Sequence, residues 1–229
     1  MNSSNRCFGD RDRYQQNGSN LLIGFKNLFF IKLNTAWFNF VRLLIYRWVQ
    51  KYSPELEKRI RPHLRAVGKS WRVDETYIKI KGSWKYLYRA IDSDGNTIDF
   101  MLSAKRNRTA AYRFFKKILK KREHPKVINT DKNPAYPLAI KKLKSSKKLS
   151  KSTSLRQIKY LNNIIEQDHR FIKKIIKPML GFKSFHTARR TLVGFEIVNC
   201  LRKGQVKGIK KRDIVSEVEY IHSLFGIIS

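Results

Sequence analysis

Three strand signals joined by short turns fill residues 71–104 and fix how this chain begins to fold. WRVDETYIKI (71–80) is rich in Val, Ile, Tyr and Thr, and Gly82-Ser83 follows it as a turn. WKYLYRAID (84–92) is a second strand, and Asp94-Gly95-Asn96 leads into a third, TIDFMLSA (97–104). Thr109 then caps an amphipathic helix, TAAYRFFKKILKKR, that ends near His124-Pro125. KVINTD (126–131) is a fourth strand, Asn133-Pro134 breaks it, and 135–143 is helical. Residues 144–154 are a Lys/Ser loop, and two long helices follow at about 160–177 and 187–203, the second closed by Gly204. Upstream, Ser53-Pro54 marks a helix start, with Ser53 as cap and Glu55 and Glu57 near the positive end of the helix dipole. An antiparallel three-stranded start followed by helix, strand and helices gives an α/β domain with a mixed sheet flanked by helices.

Charge narrows the function. Lysine and arginine number 50 against 17 acidic residues, a formal net charge of +33. This excludes a small neutral or acidic metabolic enzyme and predicts a polyanionic partner, nucleic acid ahead of anionic membrane. Disorder is excluded because 41% of residues are hydrophobic and 12% aromatic. Cys7 and Cys200 lie far apart, without zinc-ligand spacing, which suits a reducing, cytoplasmic interior. The apolar stretch 21–50 is interrupted by Lys26, Lys32 and Arg42, so it falls short of the roughly 20 apolar residues a membrane span needs.

In so basic a chain the few carboxylates are informative. Asp74 sits mid-strand, where aspartate is disfavoured, Asp131 ends the fourth strand, and Glu166 lies on a helix. Three carboxylates from two strands and a helix suit hard divalent cations, and two such ions suit phosphodiester chemistry. Each also has a plainer role: a strand residue paired with lysine, an Asx turn before Asn133-Pro134, or a solvated helix residue. At about 100° per residue, Asn162, Glu166, His169, Arg170 and Lys173 share one helix face. Leu161, Ile164, Ile165 and Ile172 share the other, and Asp168 projects into that apolar arc, so Glu166 is the preferred ligand. Arg170 and Lys173 beside it suit a phosphate backbone.

Four segments then identify a family. YRWVQKYSPELEKRIRPHLR (46–65), SWRVDETYIKIKGSWKYLYRAIDSDGNTIDFMLS (70–103), VINTDKNPAYPLAI (127–140) and KYLNNIIEQDHRFIKKIIKPMLGFKSFHTARRTL (159–192) closely resemble transposases of the IS-six family of bacterial insertion sequences. These belong to the DDE group, whose catalytic domain is RNase H-like. Within the motifs WRVDETY, NTDKNPAY and NNIIEQDHR, the catalytic carboxylates match Asp74, Asp131 and Glu166, and the basic residue seven positions on matches Lys173. The resemblance implies two Mg²⁺ ions, with Mn²⁺ as an alternative, held by those three carboxylates. It implies cutting of element ends, joining of their 3′-hydroxyls to target DNA in replicative cointegrate fashion, and a homodimer or larger synaptic complex. No covalent protein–DNA intermediate is expected.

The implied organisation is a divergent segment at 1–45, a helix-turn-helix remnant and basic connector at 46–69, the catalytic domain at 70–204, and a C-terminal tail at 205–229. Residues 1–45 depart from the family pattern. They are either a hydrophobic segment that packs on the catalytic domain or a frameshifted or truncated remnant. Arg47 and Gln50, in the retained recognition-helix segment, are candidates for DNA contact, and Trp48 is expected to pack between helices. Trp71, Trp84, Tyr86, Tyr88 and Phe100 are expected in the core or sheet packing. Two alternatives stand beside transposition: a decayed product that binds DNA without catalysis, and an RNase H-type nuclease on hybrid duplexes.

Overall fold

The computed structural model describes residue 41, residues 43–120 and residues 122–226; the expectations for residues 1–40 lie outside the described residues. The chain divides into two units, Met1–Trp48 and Val49–Ser229. In the first, residues 43–48 are helical, Arg47 is exposed, and Trp48, expected to pack, is 54% exposed.

The second unit is built on a five-stranded sheet ordered β3-β2-β1-β4-β5. β1 (Ser70–Ile80), β2 (Ser83–Ile91) and β3 (Thr97–Ser103) are antiparallel neighbours, while β4 (Val127–Asn129) and β5 (Ser154–Arg156) run parallel to β1. This is the mixed, helix-flanked sheet expected of an RNase H-like domain. The first turn is formed by Lys81 and Gly82, at φ 49° and 75°, with Ser83 already in β2. Two successive residues with positive φ give a hairpin turn whose twist matches that of the strands. In the second turn the organising residue is Asp92, not Asp94. Its buried carboxylate accepts from the backbone N–H of Asp94 and of Asn96, both at 2.9 Å.

Helices cover both faces. α2 (Arg108–Leu119) and α3 (Ala135–Ser145) lie on one, where Trp71, Val73, Tyr88, Phe114, Phe115 and Tyr136 form a buried cluster. α4 (Asn163–Ile176) and α5 (Phe185–Arg202) lie on the other, where Ile78, Ile80, Leu87, Ile172 and Leu192 meet. Each such side chain contributes about 1.5–3 kcal/mol by leaving water. α2 is capped by Asn107, whose Oδ1 accepts from Ala110 N at 2.9 Å, two residues ahead of the expected Thr109. Two elements were not anticipated. β5 lies at the end of the Lys/Ser segment, and α6 (Ile214–Leu224) lies in the region read as a tail.

Ser53-Pro54 does not start a helix. Residues 49–60, called α1 here, are continuously helical through it. Proline cannot donate to the carbonyl four residues back, which here is Gln50, and Arg190 Nη1 of α5 donates to that oxygen instead at 3.2 Å. Ser53 is buried against Gly194 of α5, where an added Cβ would stand 2.4 Å from Ser53 Oγ. Gly194→Ala is therefore expected to destabilise the fold by about 1–3 kcal/mol through overpacking, read as a lower urea midpoint at unchanged slope.

Candidate active site

Asp74 stands mid-β1, paired in register with Arg89 of β2, on the sheet face covered by α4 and α5. The entry to α4 is stitched to the same strand. Arg72 Nε donates to the carbonyl of Leu161 at 3.2 Å, and Asn162 Nδ2 donates to that of Val73 at 3.4 Å. Glu166 follows in the first turn of α4, exposed.

Asp131 follows the end of β4 and does form the Asx turn. Asn133 N donates to its Oδ1 at 3.1 Å, and Asn133 Oδ1 accepts from Ala135 N at 3.0 Å, which opens α3. Gln157 Nε2 holds the Asp131 carbonyl at 3.1 Å. The turn uses one carboxylate oxygen, while Arg106 Nη2 approaches the other at 3.3 Å. The turn fixes the carboxylate without consuming it.

The strand alternation sends Glu75, next to Asp74, to the opposite face. There its carboxylate is buried and accepts from Arg106 Nε, from Tyr136 OH, and from Asn133 Nδ2 at 3.2 Å. Glu75 thus holds Arg106, and Arg106 reaches Asp131. Burial would lower the Arg106 pKa, but the hydrogen bond and charge of Glu75 outweigh it and raise the guanidinium's pKa.

Burial, then the charge of Glu75, push the Asp74 carboxyl up to about 7, and Asp131 and Glu166 add to the rise. Negative charge from three other carboxylates therefore acts on one mostly buried acid. Among the described residues no three His, Cys, Asp or Glu side chains already close around a single point. The donors nevertheless fit a hard cation in chemistry: all are carboxylate oxygens, and positive charge placed among them would relieve the repulsion at Asp74.

His169 corrects the helical projection. It is 3% exposed, lying in the stripe with Ile165 and Ile172 rather than on the outer face with Glu166. Its Nδ1 is 3.7 Å from Asp74 Oδ2, too far for a hydrogen bond. Burial, then the charge of Arg89, depress its pKa to about 3, so the ring is neutral and cannot act as a cationic partner. Asn162 is likewise buried, and Ile164, assigned to the packed side, is 40% exposed. The apolar stripe is narrower than the composition of the helix implied. Arg170 and Lys173 are exposed on α4. Gln50 is half-buried, its amide donating to Thr191 Oγ1 at 2.7 Å and to the Thr187 carbonyl at 3.3 Å.

Comparison with known proteins shows the family. A family model described as "DDE domain" matches residues 68–205. The transposase for insertion sequence-like element IS431mec of Staphylococcus aureus (strain Mu50 / ATCC 700699) is 43% identical over 159 residues, covering 69% of each chain. The chain belongs to the DDE transposases of the IS-six family. The S. aureus transposase for insertion sequence element IS257 in transposon Tn4003 matches equally, at 43% identity and 69% of each chain. Among solved structures, the HTLV-2 integrase catalytic core domain in complex with magnesium is 18% identical, with a TM-score of 0.45, covering 65% of this chain and 96% of that one.

Two groups in this transposase escaped the sequence argument. One is the Glu75–Arg106 pair just described. The other is Arg89, fully buried, which grips Glu196 of α5 through Nε and Nη2 at 2.6 and 2.9 Å and Asp168 of α4 at 2.6 Å. Lys203 Nζ closes the set on Asp168 at 2.7 Å. Burial raises the Asp168 pKa, but Arg89 and then Lys203 more than offset it and hold the carboxylate below its ordinary value. An arginine in mid-strand and a Glu in an apolar helix were the available signals: neither belongs in a core without a partner.

Proposed function

We propose that this transposase cuts the ends of an insertion sequence and joins the released 3′-hydroxyls to target DNA, in the replicative cointegrate manner. The observation that carries this is the stitching of the α4 entry to β1 at Arg72 and Val73, which brings Glu166 to the strand that bears Asp74. The parallel register of β4 with β1, Arg72 opposite Asn129, supports Asp131 two residues on lying level with Asp74. Asp74, Asp131 and Glu166 would hold two Mg²⁺ ions, with Mn²⁺ as a substitute. When bound, the metal supplies Lewis acidity to the attacking and leaving oxygens.

In each step an oxygen, from water or from a 3′-hydroxyl, forms a bond to phosphorus as the opposite P–O bond breaks. The chain's own residues set the geometry for this. Glu75 and Arg106 hold Asp131 in place, and Arg170 and Lys173 on α4 contact the strand's phosphates. Arg47 and Gln50 remain candidates for DNA contact, the latter requiring release of its bond to Thr191. The excess of basic residues supplies salt-dependent, sequence-independent affinity. A homodimer or larger complex follows from the need to hold two ends together, acting in the bacterial cytoplasm at the nucleoid. Among the described residues no helix is long and apolar enough to cross a membrane.

The test uses purified protein, candidate end DNA and a supercoiled target. Nicked and joined products are expected with Mg²⁺ or Mn²⁺ and none after EDTA. Cleavage of an RNA–DNA hybrid without joining would favour a nuclease instead, and binding without either product would mark a decayed enzyme.

A further inference from the structure

The far end of β1, its hairpin to β2 and the connection from α4 to α5 enclose an apolar groove of about 480 Å³. Trp84, expected in sheet packing, is 60% exposed here, and Tyr77 is 47% exposed. The two rings meet edge to face at 6.3 Å, and Tyr86 backs Tyr77 at 5.4 Å, so they form a supported aromatic shelf. Across the groove Leu180 is 89% exposed at φ 55°, a left-handed conformation that branched L-residues avoid. It is held there. Phe182 N donates to the Lys79 carbonyl and Lys81 N to the Phe182 carbonyl, both at 2.8 Å. Gly181, at φ 103°, lies so close to β1 that a Cβ would meet Lys79 O at 3.0 Å. The apolar rim is therefore built outward against its hydration cost.

The charge lining the groove is Lys79, Lys173 and Lys177, with no acidic residue. An occupant must offer a flat apolar face together with negative charge. Lys173 also lies two turns beyond Glu166 on α4, about 10 Å along the helix, so one wall of the groove shares its helix with a candidate carboxylate. We infer that the groove is a subsite for an unpaired nucleotide of the DNA strand that runs to the active site. The base stacks on Trp84 and Tyr77, Leu180 closes the outer side, and the lysines hold the flanking phosphates. Extracting a base from a duplex has a cost that vanishes where the base is already unpaired, so the groove selects frayed or single-stranded ends over closed duplex. That this strand reaches the carboxylates rests on the transposase function proposed above.

The test measures fluorescence anisotropy of the full chain, in EDTA, with a fluorescein-labelled short oligothymidylate and with a blunt duplex of equal length. Trp84→Ala is expected to weaken oligothymidylate binding about tenfold and to leave duplex binding within about twofold, while Trp84→Phe retains most of the affinity. Equal loss on both DNAs, or loss on neither, overturns the subsite. So does a fall in self-association with oligothymidylate binding unchanged, which would make the groove a contact between copies. The Mg²⁺ joining assay with the wild-type chain fails separately: absent joining with intact Trp84-dependent selectivity counts against transposition and leaves the subsite standing.

Discussion

Asp131→Asn is expected to lower strand joining by about a thousandfold or more, as loss of several kcal/mol of metal-dependent stabilisation requires. The substitution is nearly isosteric, and the amide oxygen of Asn can still accept from Asn133 N, so the Asx turn that opens α3 survives. Arg106 keeps its bonds to Glu75. The melting temperature should accordingly stay within about 2 °C of wild type. Affinity for duplex DNA should hold or rise slightly, because a negative charge has been removed from a surface that binds a polyanion. Gel analysis of joined products, beside a thermal melt and a binding titration, separates the three quantities. Joining at the wild-type rate in Mg²⁺ would sink Asp131 as a metal ligand; loss of folding would mean that the turn, not the ion, was its role.

The elements carried by local signals were legible. The hairpin strands follow β-branched and aromatic alternation, and β1, β2 and β3 appear within a residue or two of where the sequence put them. The three candidate carboxylates stood out because acids are scarce in this chain and each sat in an odd local setting. What could not be read was anything decided by a partner distant in sequence. Glu75 looks like a neighbour of Asp74, yet its role comes from Arg106, Asn133 and Tyr136. Pro54 reads as a helix start because proline breaks ladders, and only Arg190, donating to the freed Gln50 carbonyl, makes a continuous helix tolerable. β5 has three residues, too few for periodicity, and exists because β4 offers a parallel edge. His169 shows the limit of a helical wheel. Polarity placed it with Glu166, but α4 is docked through the line of Ile165, His169 and Ile172, and a neutral imidazole is accepted there.

Arg89→Met is expected to destabilise the catalytic domain by about 3–5 kcal/mol, the cost of breaking a buried ion network by removing one partner. Arg89 is wholly buried and is the common partner of Glu196, whose side chain is 1% exposed, and Asp168, at 13%. Removing it leaves Glu196 without its guanidinium and Asp168 with Lys203 alone. Methionine fills similar space, so the loss measures charge and hydrogen bonding more than a cavity. Replacing both ends together, Arg89→Met with Glu196→Leu, should recover much of the stability, since well-packed apolar residues often match a buried pair. Recovery of stability need not recover joining. Asp168 lies two residues beyond Glu166, and its bond to Arg89 ties α4 to the strand position facing Asp74. The double variant should therefore regain most of its urea midpoint while joining stays below wild type, because Glu166 keeps the bonds at the α4 entry but loses the tie at Asp168. A single Arg89→Met variant that loses less than about 1 kcal/mol would place the network among solvated surface pairs, and full joining by the double variant would show that the apolar stripe and the bonds at the α4 entry position α4 without Asp168.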